Sequence, residues 1–138
     1  MPEKRTIEAA RKDKREGKAA STQAGEFVRE EIHHIREGKH GASSTKQAIA
    51  IGLSKARRAG VKLRGPKGQP ATQRSSSGKK PSARRSAAMS RVLRKEGHAA
   101  ASKPALARQA RSAAQKRGHA SLRAAARKAA LTRGRHAA

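Results

Sequence analysis

The acidic residues of this 138-residue chain are concentrated at its beginning, since eight of the nine lie at or before Glu37. Residues 1–37 carry nine Lys/Arg against eight Asp/Glu, whereas residues 38–138 carry 26 Lys/Arg against Glu96 alone, and the formal net charge is +26. A segment with so little internal compensation repels itself. Phosphate-rich polymers relieve that repulsion, because Lys and Arg replace their condensed counterions. The charge pattern therefore predicts nucleic acid as the partner.

Composition limits the fold to one with a small core. Only 34% of the residues are hydrophobic, many of these are Ala, and no Cys is present. The chain therefore has neither a disulfide framework nor a thiolate zinc site. No run approaches the roughly 18 apolar residues of a membrane span, and the N-terminus is charged where a secretory signal would be apolar. We expect a mainly α, cytoplasmic protein that does not engage a membrane.

Residues 1–20 have the pattern of a charged helix or arm. Opposite charges recur four residues apart, as in Lys4 with Glu8 and Lys12 with Glu16, and Gly17 follows as a stop. Such pairs support a solvated helix. We expect this segment to bury little and to carry no chemistry.

Residues 21–63 are predicted to form an antiparallel helical hairpin. The first helix spans Thr22–Glu37, and its apolar residues recur at near-helical spacing. The sequence Ser44 to Gln47 is typical of a capping box at the start of the second helix, and Gly60 followed by Val61 is typical of a Schellman ending. The predicted core comprises Phe27, Val28, Ile32, Ile35, Ile49, Ile51, Leu53 and Val61.

A hairpin of this size is marginally stable without metal or disulfide. Self-association of two hairpins, or binding to nucleic acid, would complete its folding. A DNA-reading helix-turn-helix has a turn of about three to four residues. The connection here is longer, so a plain hairpin is favoured.

The rest of the chain divides into a linker and a basic tail. Residues 64–81 are rich in Gly, Pro and Ser and are predicted to be a flexible linker. Residues 82–138 repeat a loose unit of a capping Ser, an Ala-rich helix with Lys/Arg, and then Gly and His, with the helices ending at Gly97, Gly118 and Gly134. Alanine favours helix, whereas unrelieved charge opposes it. We therefore expect a largely disordered or conditionally helical tail that gains helix on nucleic acid.

The aromatic content bears on the mode of nucleic-acid binding. Phe27 is the single Phe, and Trp and Tyr are absent. Binders of single strands stack bases on aromatic rings, so this chain is better suited to the phosphate backbone of a duplex. The predicted contacts are basic residues from the end of the hairpin onward, namely Lys55, Arg57, Arg58, Lys62, Arg64, Lys79, Lys80, Arg84, Arg85, Arg91, Arg94, Lys95, Arg108, Arg111, Lys116, Arg117, Arg123, Arg127, Lys128, Arg133 and Arg135.

Metal binding and catalysis are weakly supported by the sequence. Glu30, His33, His34, Glu37 and His40 are close in sequence, with some at same-face helical spacing. Without a zinc-protease motif or a Cys partner, they are interpreted as a solvated polar helix face. No Gly-rich phosphate loop or nucleophile elbow is present, and the carboxylates lie on charged helices. We expect no metal, no cofactor and no enzymatic activity.

Two stretches of the chain resemble known proteins. The run Thr45–Val61 (TKQAIAIGLSKARRAGV), together with Ala24–Glu31 (AGEFVREE), resembles the signature of a family of small basic bacterial proteins of unassigned function, over about residues 1–63. That resemblance implies no catalytic residues. Residues 66–138 are similar in composition to the tails of linker histones and bacterial histone-like proteins. No winged-helix domain is recognisable, which favours the bacterial histone-like class.

These observations favour a sequence-nonspecific, nucleoid-associated DNA-binding protein that acts by neutralising phosphates. An RNA-binding or ribosome-binding protein is the nearest alternative, because backbone contacts discriminate poorly between DNA and RNA. A third interpretation is a regulatory or plasmid-maintenance factor, in which the hairpin binds a protein and the tail localises it. Membrane disruption is disfavoured, because Ala-rich helices lack the large apolar residues that interfacial helices bury.

Overall fold

The computed structural model describes residues 2–64 and 82–137, with side chains through Arg135. This described part contains no strand, which confirms the mainly α prediction. The elements in chain order are α1 (Lys4–Arg15), α2 (Ala20–Arg36), α3 (Thr45–Arg58), α4 (Ala83–Lys95), a 3-10 helix (Ala99–Ala101) and α5 (Lys103–Ala137). Most of the predicted linker, with Lys79 and Lys80, lies outside the described residues.

The chain divides into two compact units. The N-terminal unit, Met1–Ser102, contains α1 to α4 and the 3-10 helix, and the C-terminal unit, Lys103–Ala138, contains α5. The first of the three predicted tail segments is thus part of the same unit as the hairpin.

Both ends of α3 are set by local hydrogen bonds. Ser44 Oγ accepts from the Gln47 amide at 3.1 Å, as the capping-box pattern predicts. The Gln47 side chain binds the Ser43 amide at 2.7 Å, one residue earlier than that pattern requires. At the other end, Gly60 has φ +95° and Val61 N donates to Ala56 O at 3.0 Å, which completes the predicted Schellman motif.

Small residues bring α3 into close contact with α2. Ala48, Gly52 and Ala56 recur every fourth residue of α3 and are buried, whereas Leu53 is only partly buried. A Cβ placed on Gly52 would lie 2.7 Å from the Cα of Val28. The hairpin core therefore depends on backbone approach, and the large apolar residues predicted for α3 lie at its edges.

Helix α1 packs against α2 more closely than its charged sequence suggests. Ala10 is buried in a cluster with Phe27, and Ile7 packs against the same cluster. Asp13 is also buried, and its carboxylate pairs with Lys18 Nζ at 2.8 Å. Two apolar residues one turn apart are sufficient to dock α1, because the rest of its surface stays in solvent.

The last turn of α4 and the residues that follow it contact the hairpin through main-chain hydrogen bonds. In the loop between α2 and α3, Gly41 N donates to Leu93 O at 2.8 Å and Ala42 N donates to Gly97 O at 3.2 Å. We call residues 93–101 the docked segment. Its approach to Gly41 is close, since a Cβ on Gly41 would lie 2.0 Å from Glu96 O.

Side chains of the hairpin hold the end of the docked segment. Thr45 Oγ1 donates to Ala100 O at 2.7 Å, and Arg36 Nε donates to Ala101 O at 2.8 Å. Ala100 and Ala101 are both buried. Main-chain carbonyls accept these bonds, so docking requires no particular functional group in the segment. Burial of Ala100 and Ala101 indicates that the side chains there must be small.

Helix α5 is kinked at Gly118, which has φ 75° and ψ 163° inside the helical span. Helix ends were predicted at Gly118 and Gly134 in this unit, and the one at Gly118 coincides with the kink. The helix continues through Gly134 to Ala137, because an isolated glycine is tolerated inside a helix at modest cost.

We expect Gly52→Ala to destabilise the N-terminal unit by about 1–3 kcal/mol, because its methyl group would collide with the backbone of Val28. Urea denaturation followed by circular dichroism measures this loss. The control is Gly25→Ala in α2, where a Cβ meets nothing within 4 Å and helix propensity favours Ala by up to about 1 kcal/mol. Equal stability of the two variants would contradict the close contact.

We expect Gly41→Ala to release the docked segment, because the atoms its Cβ meets are backbone atoms of Glu96 and Gly97. Amide hydrogen exchange would show loss of protection at Ala42 and faster exchange across residues 99–102, with α1 to α3 still protected. Gly97→Ala is the matched control in the same contact, because a Cβ there meets nothing within 4 Å. Unchanged protection at Ala42 in Gly41→Ala would refute the docking geometry.

Candidate nucleic-acid interface and the Glu31 cluster

Ion pairs are unevenly distributed along the chain. Among the described residues, every ion pair lies between Glu3 and Lys55. The Lys and Arg side chains of α4 and α5 take part in none of them. Within the described ranges, compensation of charge is therefore a property of α1 to α3 alone.

The C-terminal end of α3 presents a basic group of residues to solvent. Arg57, Arg58, Lys62 and Arg64 are all exposed there. Lys55 is different, because its ammonium lies 2.5 Å from Glu31 Oε2 and its side chain is only 19% exposed. Lys55 was predicted to contact phosphate, but its ammonium group is already paired with the buried carboxylate of Glu31. It therefore belongs to the packing of the hairpin.

Helix α4 carries a basic face. Ser82 Oγ accepts from the Arg85 amide at 3.2 Å and starts the helix. Arg84, Arg91 and Lys95 then recur at spacings of seven and four, which keeps them on one side of a 3.6-residue helix. These residues are exposed, as are Arg85 and Arg94. The predicted contacts on this helix therefore share an accessible surface.

Helix α5 is basic on every side. Its predicted contacts are all exposed, and Ala is the commonest residue between them. No apolar stripe separates a buried face from a solvent face, which is the pattern of a helix that no large core covers. The residues concerned are Arg108, Arg111, Lys116, Arg117, Arg123, Arg127, Lys128, Arg133 and Arg135.

The hairpin contains a buried carboxylate cluster centred on Glu31, a residue outside the polar group that was predicted to be solvated. Glu31 is 0% exposed and Glu30 is 7% exposed, whereas His33 is on the exposed side of α2. Besides Lys55, Glu31 faces His40, whose Nε2 lies 2.8 Å from Glu31 Oε1. We call Glu31, His34 and His40 the Glu31 cluster.

A second group of charges covers this cluster from the N-terminus. Glu3 N donates to Glu30 Oε2 at 3.2 Å, and Glu3 Oε1 lies 3.2 Å from His34 Nε2. The hydrogen bond with His34, followed by the charge of Lys39, lowers the pKa of Glu3. Pairing chiefly with Glu37 raises the pKa of Lys39. The sequence placed Glu30 and His34 in one polar group but paired Glu30 with His33 by helical spacing, whereas the structure places His34 beside Glu30 and covers both from the chain before α1.

Comparison with family models, curated proteins and solved structures finds no match for this chain. Within the described ranges, no helix combines the length and apolar composition needed to cross a bilayer.

We expect the stability of the N-terminal unit to fall in acid partly through Glu3. Its pKa is lowered in the folded chain, so its contribution is complete above the ordinary value of 4.5 and is lost as pH falls through the lower folded value. Glu3→Gln should flatten this acid limb in thermal melts followed by circular dichroism. Glu8→Gln, which removes an exposed carboxylate outside the ion pairs above, should leave the limb unchanged. An acid limb equally steep in Glu3→Gln and in the unaltered protein would argue against the contact with His34.

Proposed function

We propose that the protein binds duplex DNA without sequence preference, as a histone-like component of the bacterial nucleoid. The observation that carries this proposal is the set of exposed basic residues on α4 and α5, which form no ion pair with any described residue. A surface of this kind gains free energy from a polyanion, because each neutralised phosphate releases condensed counterions.

Burial of the only Phe supports a backbone mode of binding. Phe27 is 1% exposed in the hairpin core, so it offers no platform for an unpaired base. Sequence-tolerant binding to single strands depends on such stacking. Phosphate contacts remain, and they position a protein on a duplex without reading its sequence.

Most of the exposed basic residues lie on α4 and on α5. The C-terminal end of α3 contributes a smaller number. On α4 the face with Arg84, Arg91 and Lys95 presents cations in a row, while α5 presents them around its whole circumference. The small side chain of alanine between the basic residues adds little bulk to the helix surface, so a phosphate backbone can approach it closely. The proposed interface omits Lys55, which is engaged by Glu31.

We expect the triple variant Arg84→Gln, Arg91→Gln, Lys95→Gln to weaken duplex binding and to lower the slope of log K against log salt. Loss of three phosphate contacts should reduce its magnitude by about 2.7, since each contributes about 0.9. Fluorescence anisotropy with a random-sequence duplex over a salt series measures the slope.

The matched control removes three exposed cations from α1 in the variant Arg5→Gln, Arg11→Gln, Lys14→Gln. Net charge falls equally, but the helix that loses them also carries acidic residues, so the slope should change by less than about 1. Equal effects of the two triple variants would contradict a basic interface on α4. Preferential displacement of the duplex by a structured RNA of equal length would favour the RNA-binding alternative.

A further inference from the structure

We propose that the Glu31 cluster is a binding site for a divalent transition-metal ion, with zinc as the best-suited ion. Glu31 and His34 lie three residues apart on α2, and the loop between α2 and α3 brings His40 to them. One oxygen of Glu31 and one ring nitrogen of each His all lie within 4.8 Å of one another. This inference is independent of the proposed DNA binding.

The hydrogen bond of His40 fixes which of its nitrogens is available. Its Nδ1 lies 3.0 Å from Gly41 O, and a carbonyl only accepts, so Nδ1 must carry the hydrogen. Nε2 is then the ring nitrogen left for another partner, and it lies 2.8 Å from Glu31 Oε1. Two such acceptors repel each other unless they share a positive charge, which is either a proton on Nε2 or a metal ion. A ring N–H held by a backbone carbonyl is also the usual support of a metal-binding histidine.

Glu31 supplies the second and separate observation. Its side chain is 1% exposed, and Oε1 is a buried atom without a hydrogen-bond partner among the described residues. Lys55 occupies the other oxygen, Oε2. Buried carboxylate oxygens are normally paired, because an unpaired one carries a large desolvation penalty. Oε1 therefore remains available as a ligand beside His40, while Lys55 stays on Oε2.

The electrostatic balance around the cluster favours a cation. Three carboxylates, those of Glu3, Glu30 and Glu31, face two ammonium groups, those of Lys39 and Lys55. These carboxylates and ammonium groups alone sum to a charge of −1, although the whole chain carries +26. A dication would reverse this imbalance and would join α2 to the loop that holds the docked segment.

The donor set selects the class of metal. Two imidazoles and one carboxylate suit zinc and neighbouring transition metals, whereas Mg²⁺ and Ca²⁺ prefer oxygen ligands alone. Tetrahedral zinc, with bonds of about 2.0–2.2 Å, holds its ligand atoms roughly 3.3 Å apart. The separations in the cluster, from 2.8 Å to at most 4.8 Å, surround that value. Side-chain shifts of about 1 Å would close the site and leave a fourth position for water.

The test is titration of the metal-free, full-length protein with Zn²⁺ in a calorimeter, and with Co²⁺ by visible absorption, which reports tetrahedral coordination. We expect one equivalent of each ion to bind, an upward shift in the thermal midpoint with Zn²⁺, and no response to Mg²⁺. His40→Gln and His34→Gln should each weaken Zn²⁺ binding by more than about tenfold. The matched control is His33→Gln, on the exposed side of the same helix, which should bind Zn²⁺ as the unaltered protein does.

Absence of a Zn²⁺-dependent shift, or equal loss in all three variants, would overturn the proposal and indicate adventitious binding by surface histidines. A measurement without substitutions guards against variants that fail to fold. In NMR spectra of the unaltered protein, one equivalent of Zn²⁺ should move the ring signals of His34 and His40 and leave those of His33 and His98 in place. Movement of His33 and His98 alone would overturn it as well.

Discussion

The close approach of α3 to α2 at Gly52 is the contact on which the N-terminal unit depends. With few large apolar residues available, the hairpin gains packing density by bringing two backbones together along Ala48, Gly52 and Ala56. That approach places Lys55 opposite Glu31 and so satisfies one oxygen of a fully buried carboxylate. A bulkier residue at Gly52 would separate the helices and leave that carboxylate buried without its ion pair.

Local features of the hairpin could be predicted from sequence, and its packing could not. Ser44 and Gly60 were identified as the boundaries of α3 because caps depend on hydrogen bonds within a few residues. The core face of α3 is only partly predictable: Leu53 packs against the buried cluster as expected, but Gly52, which approaches α2 most closely, is missed by a choice based on side-chain size. The requirement for glycine at position 52 follows from the backbone of Val28, and the sequence of α3 alone does not reveal that contact.

The Glu31 cluster and the docked segment show a similar limit. Helical spacing grouped Glu30 with His33, whereas His34 is the histidine that lies beside Glu30. Charged residues are rarely buried, so the sequence favoured a solvated face. Burial arises from contacts distant in sequence, such as Glu3 with His34. The docked segment is bound through its own carbonyl groups, which every residue possesses, so its pattern carries no distinctive signal. Exposed basic residues on α4 and α5, in contrast, follow directly from composition.

The docked segment also determines the order in which the unit can assemble. Helices α1 to α3 are joined by short turns, whereas the bonds of Thr45 and Arg36 to the segment span 55 and 65 residues. Local contacts form quickly, and closure of a long loop costs more entropy. The three-helix part should therefore form first, and the segment should join late and detach early. The attachment of the end of α4 to the hairpin is therefore expected to be the least persistent contact of the unit, because it depends on a few hydrogen bonds that close long loops.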